Sequence, residues 1–183
     1  MAHTTLSAAL PLTLYVYVCT SIVFGASGDL AKKKTYPALF GLYRNQFLPK
    51  DVQIIGYART KMELADFHKR ITSYLKLPGP GQPGADEVRE QLDTFLKRCH
   101  YVAGQYDRDE DFEALNQTIK QQEGFHEKPN RLFYMALPPS QFVNVAKEVR
   151  HHCYVEGGVN RLIVEKPFGH DLESSRELQR HLS

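Results

Sequence analysis

Apolar residues in this chain form short runs separated by stretches in which they recur at helical spacing. Tyr15-Val16-Tyr17-Val18 and Ile22-Val23-Phe24 are β-branched or aromatic and predict a buried first strand. Leu30, Pro37, Leu39, Phe40 and Leu42 then fall on a helix, which Pro37 is expected to kink. Val52 to Ala58 reads as a second strand. A Thr60-x-x-Glu63 capping box opens the next helix, carrying Met62, Phe67, Ile71, Tyr74 and Leu75. The run from Pro78 to Gly84 cannot continue a regular element and reads as a flexible surface linker within the domain. Beyond it, Val88, Leu92, Phe95, Leu96 and Cys99 predict a helix, Tyr101-Val102-Ala103 a strand, and Phe112, Leu115 and Ile119 another helix. A strand from Arg131 to Leu137 stops at Pro138-Pro139. A helix from Ser140 with Phe142, Val143, Ala146 and Val149 follows, and Leu162-Ile163-Val164 is the last strand. Strands alternating with helices predict an α/β fold, a doubly wound, mainly parallel sheet with helices on both faces.

Composition narrows the function classes. The chain has 183 residues, enough for one domain with a real core, and its net charge of +2 gives no electrostatic case for nucleic acid. Cys19, Cys99 and Cys153 are odd in number and widely spaced, fitting neither a disulfide framework nor a zinc site, so a reducing cytoplasm is expected. His151-His152 resembles a metal pair, but neighbours on a helix point about 100° apart, and a solvated helix end is the expected setting. No metal is assigned. Residues 1–14 read as an uncharged tail and 15–183 as the domain. No charged side chain precedes Asp29, yet the start lacks basic residues and Pro11 interrupts the run, which argues against a membrane anchor or removable leader. A mis-assigned start is the rival reading of this segment.

The strongest chemical signal is the turn Gly25-Ala26-Ser27-Gly28-Asp29-Leu30-Ala31-Lys32, which closes the first strand and opens a helix. Gly25 suits backbone angles closed to other residues, Gly28 lets a pyrophosphate approach the main chain, and Ala31 lets helix and strand pack closely. Lys32, Lys33 and Lys34 stand where the helix dipole is already positive, a conflict that a bound anion would relieve. The alternatives are a ligand-free turn and lysines that simply point into water. At the end of the second strand, an acidic residue would accept the ribose hydroxyls of NAD. Arg59 stands there instead, and a guanidinium suits a 2′-phosphate, so NADP is favoured.

GASGDLAKKK, GYAR ending at Arg59, YVAGQYD from Tyr101, RLFYMALPPS from Arg131 and NRLIVEKPFGHDL from Asn160 occur in order and spacing that resemble the glucose-6-phosphate dehydrogenases from Ile22 onward. The resemblance implies a Rossmann-type coenzyme domain, with Gly25 to Lys32 on the pyrophosphate and Arg59 on the 2′-phosphate of NADP. Lys166 in EKPFG would contact both coenzyme and sugar. A family tyrosine two residues after the serine of PPS reaches the coenzyme. This chain has Phe142 there, which keeps a ring but no hydroxyl, with core packing the alternative. The implied reaction is oxidation of glucose 6-phosphate to 6-phosphogluconolactone in the oxidative pentose phosphate route, by an enzyme that usually forms homo-oligomers. The family's general-base histidine belongs to a D-H-Y-L-G-K-E segment absent from these residues, so no catalytic residue is assigned and the chain alone is expected to be inactive. A silent nucleotide-binding or subunit-interfering product is one rival reading. Another Rossmann oxidoreductase, disfavoured by EKPFG, is the second.

Overall fold

The computed structural model describes residues 19–125 and 129–164; the tail, Tyr15 to Val18, and Glu165 onward with Lys166 lie outside the described residues. Five strands, β1 (Cys19–Phe24), β2 (Gln53–Ala58), β3 (Cys99–Ala103), β4 (Asn130–Met135) and β5 (Asn160–Val164), pair in parallel in the order β3-β2-β1-β4-β5. The chain builds outward from β1 to β3 and then returns to the other side of β1 at β4. The strand order therefore reverses between β1 and β4, where open α/β sheets leave a crevice at their carboxyl ends.

Strand side chains alternate between faces, so a strand covered on both sides reads as a nearly unbroken apolar run. Val23, Ile54 and Cys99 pack with Phe40 of α1 (Tyr36–Arg44), Phe67 and Ile71 of α2 (Leu64–Thr72), and Val88, Leu92 and Phe95 of α3 (Ala85–Leu96). Ile22, Phe24, Ile55, Tyr57, Phe133 and Met135 pack on the opposite face with Phe112, Leu115 and Ile119 of α4 (Asp109–Glu123) and Val145 and Ala146 of α5 (Phe142–Glu148). Helices cover both faces, as the alternation predicts. Among the described residues, no helix is long and apolar enough to cross a membrane.

Several local expectations give way to tertiary structure. The helix that opens at Asp29 widens ahead of Pro37 into a π-turn at Ala31–Thr35, where Tyr36 N–H donates to Ala31 O, five residues back. In a regular α-helix the Pro37 ring would meet the Lys33 carbonyl, and the wider turn sits just where that strain would arise. The Thr60–Glu63 capping box does not form. Glu63 is the extended cap residue of α2 and makes no side-chain cap bond. Thr60 is held elsewhere: its Oγ1 accepts a 3.4 Å hydrogen bond from Ser27 Oγ, and its carbonyl accepts one from the Tyr101 hydroxyl. The 78–84 linker is irregular but folded, with Gly79 N–H donating to Gln82 Oε1 at 2.7 Å and Ala85 N–H to Gln82 O at 3.1 Å.

The histidine pair also departs from expectation. His151 is exposed, whereas the His152 side chain keeps only 9% of its accessible surface, because the π-turn Val149–Cys153 packs against α4. A solvated helix end describes the first of the pair and not the second. Across the same helical layer, a buried ion pair joins Arg131 at the start of β4 to Glu123 at the end of α4, and both side chains are at most 3% exposed.

Candidate functional site

The turn that follows β1 sits at the reversal of strand order. Gly25 has φ +77°, and its N–H and that of Ala26 donate to Tyr57 O at 2.9 and 3.2 Å, fastening the turn to the exit of β2. On its other side Gly25 abuts the exit of β4, where a Cβ would overlap the Ala136 carbonyl and lie 2.9 Å from Leu137 Cδ2. Only a glycine fits between the two strand ends. Gly28 N–H donates to Gly25 O at 2.8 Å, and Lys32 N–H to Gly28 O at 3.2 Å. The N–H groups of Ser27, Asp29, Leu30 and Ala31 have no acceptor among the described residues. Those of Asp29, Leu30 and Ala31 are donors of a helix's first turn, and that of Ser27 belongs to the turn before it, at the carboxyl edge of the sheet. Ala31 is fully buried, in the same apolar cluster as Val23 of β1.

Electrostatics around the turn differ from the expected anion-seeking lysine cluster. Asp29 bridges Lys32 at 2.9 Å and Lys33 at 2.8 Å, and both ammonium groups lie within 5.7 Å of the Tyr74 ring centroid. Hydrogen bonds from Lys33 and then Lys32 hold the Asp29 carboxyl down at about 2. The aspartate at the helix start already balances much of the charge conflict. The lysines thus give little support to an anion site, and the free amides give more.

Arg59 follows β2 directly and is exposed. Its guanidinium carbon lies 5.7 Å from the centre of the Tyr106 ring, within cation–π range. Burial raises the Tyr106 hydroxyl to about 12, while the Gly25 backbone amide and the Arg59 charge act in the opposite direction. Tyr106 therefore links the glycine turn to the arginine, a role that sequence reasoning missed because the tyrosine arrives from the loop after β3. The Ser27–Thr60 hydrogen bond joins the same two segments from the side of the first helix. The turn after β1 and the arginine thus form one connected unit.

The remaining predicted residues fall outside that unit. Phe142 exposes 2% of its surface and packs in the core with Phe24 and Met135, which leaves little ring surface for a ligand. Lys166 lies outside the described residues. His100 sits on β3 with Nε2 2.9 Å from Gln53 Oε1, and burial lowers its pKa, so it is a packed strand histidine and not a poised base. The three cysteines are free; burial pushes Cys153 up to about 12 and Cys99 higher, far from reactive thiolates.

Comparison with known proteins matches residues 22–183 to the family described as glucose-6-phosphate dehydrogenase, NAD binding domain. The chain is 53% identical over 161 residues to glucose-6-phosphate 1-dehydrogenase of Aspergillus niger, covering 88% of this chain and 30% of that one. The Saccharomyces cerevisiae enzyme of the same name is 49% identical over 163 residues, covering 87% and 31%. A solved structure of glucose-6-phosphate dehydrogenase in complex with its substrate glucose-6-phosphate superposes with TM-score 0.81 at 44% identity, over 91% of this chain and 34% of that chain. The Mycobacterium avium glucose-6-phosphate 1-dehydrogenase structure gives 0.69 at 30% identity, over 90% and 33%. The chain spans about a third of the length of these relatives.

Proposed function

The chain belongs to the glucose-6-phosphate dehydrogenase family, and on that premise we propose that it forms the NADP-binding domain of an enzyme that oxidises glucose 6-phosphate at C1 to the 6-phosphogluconolactone. The observation that carries the reading is the pairing of two features at the sheet's carboxyl edge. One is the set of free amides at Ser27, Asp29, Leu30 and Ala31; the other is Arg59, one residue past β2. The amides suit a pyrophosphate, to which they offer neutral donors backed by a helix start. Arg59 suits the 2′-phosphate through charge-assisted, bidentate hydrogen bonds, while Tyr106 supports the guanidinium from beneath.

When bound, the nicotinamide supplies the hydride acceptor. The described residues bind and orient: Gly25 keeps the turn close to the sheet, Ser27 and Thr60 hold turn and arginine in register, and the helix start offers its N–H groups. Lys166, from the family resemblance, is assigned to the sugar and the coenzyme together. Removing the C1 hydroxyl proton needs a general base, and among the described residues none is assigned that role. The whole enzyme is proposed as cytoplasmic and homo-oligomeric. Free cysteines support the compartment, and the family resemblance supports the assembly.

Arg59→Ala tests the coenzyme choice. Losing a charge-assisted contact costs about 1.5–3 kcal/mol, so calorimetric titration should show NADP weakened about tenfold or more while NAD is nearly unchanged. Equal weakening of both coenzymes would remove the 2′-phosphate assignment.

A further inference from the structure

Away from the coenzyme turn, His152 presents a separate piece of chemistry. Its side chain is nine-tenths buried, and its Nε2 is inaccessible to solvent without a hydrogen-bond partner. That nitrogen nevertheless faces two carboxylates: Glu148 Oε2 at 3.4 Å, one turn back on the same helical segment, and Asp109 Oδ1 at 3.8 Å, in the first turn of α4. The three donor atoms lie within 4.8 Å of one another. A buried imidazole nitrogen close to two carboxylate oxygens yet hydrogen-bonded to neither is an incomplete arrangement, because buried polar atoms are normally satisfied.

The geometry points to a divalent metal site formed by Asp109, Glu148 and His152, of the zinc class, with three protein donors and a fourth position open to water. Zinc binds imidazole nitrogen and carboxylate oxygen at about 2.0–2.2 Å. Tetrahedral arms of that length place neighbouring donors about 3.4 Å apart. The His152–Glu148 separation already has this value, and the His152–Asp109 separation exceeds it slightly. Glu148 and His152 are a fixed pair at i and i+4, with side chains 16% and 9% exposed, while Asp109 is 71% exposed and free to turn inward. Mixed nitrogen and oxygen donors favour zinc, cobalt or nickel over magnesium and calcium, which prefer oxygen alone. Two carboxylates facing one imidazole also leave negative charge that a dication would balance. His151 takes no part, since its exposed ring lies crosswise to that of His152, with centroids 4.6 Å apart.

Such an ion would fasten the start of α4 to the segment that ends α5. The loop before α4 carries Tyr106, which sits under Arg59, so the clamp would steady that loop without touching the coenzyme site. The test is titration of the tag-free, metal-stripped 183-residue chain with Co²⁺, followed by displacement with Zn²⁺. The expected result is one saturable equivalent with the intense visible absorption of tetrahedral Co²⁺, lacking a sulfur-to-metal band. In both His152→Ala and Asp109→Asn, affinity should fall by at least about tenfold. Asp109 is exposed, so its asparagine variant keeps the test decisive even where the histidine variant misfolds. No saturable binding, a thiolate spectrum, or unchanged affinity in Asp109→Asn would overturn the site.

Discussion

Gly25→Ala is expected to destabilise the domain by roughly 2–5 kcal/mol and to abolish coenzyme binding. A left-handed backbone costs a side-chain-bearing residue about 1–2 kcal/mol, and Gly25 holds φ +77°. The added methyl would also overlap the Ala136 carbonyl and approach Leu137 Cδ2 to 2.9 Å. Overpacking of this kind costs about 1–3 kcal/mol. The carbonyl belongs to the exit of β4 and cannot rotate aside as a flexible side chain could. Relief would require separating the ends of β1 and β4, where the turn meets the crevice. Gly41→Ala is the internal control: it lies in α1 with nothing within 4 Å of the added carbon. Alanine there should stabilise by about 0.5–1 kcal/mol. Urea unfolding of the two variants checks the contrast, and a Gly25→Ala protein as stable as the parent would refute this view of the turn.

Arg131→Met should cost about 3–5 kcal/mol, the usual result of removing one partner from a buried pair. Arg131 Nε and Nη2 donate to the two Glu123 carboxylate oxygens at 2.8 and 2.6 Å, and Nη1 donates to Asn116 Oδ1 and Cys153 O at 2.9 and 2.6 Å. Methionine fills comparable space but leaves the Glu123 carboxylate buried and unpaired. The double variant Arg131→Met with Glu123→Leu should regain most of the loss, because replacing a whole buried pair by apolar groups is often neutral. Chemical unfolding of both proteins decides the matter. A single variant that loses less than about 1 kcal/mol, or a double variant worse than the single, would mean that the pair does not have this role.

The strands and the helix faces were legible because each depends on a local period. Val23 and Ile54 turn to one layer and Ile22, Phe24 and Ile55 to the other, which the unbroken apolar runs already imply. The places of Gly25 and Arg59 were legible for a similar reason, since each directly follows a strand end, β1 or β2. What the sequence hid depends on partners distant along the chain. Thr60 matches a capping box, but Ser27 and Tyr101 recruit it first. Lys32 and Lys33 look free until Asp29 is seen to bridge them. Tyr106 reaches Arg59 from the loop after β3, and His152 is buried by the start of α4. In Phe142 the periodicity indicated an inward-facing position, and the 2% exposure agrees with packing more than with contact to a coenzyme.

The most direct test of the central claim is a titration of the isotopically labelled 183-residue chain with NADP, followed at each backbone amide by NMR. The claim predicts saturable shifts concentrated at Ser27, Asp29, Leu30 and Ala31, where the amides are free, and at Arg59 and Tyr106, with NAD moving the first group but scarcely the second. Saturable shifts centred elsewhere on the sheet, or none at the 27–31 amides, would contradict it.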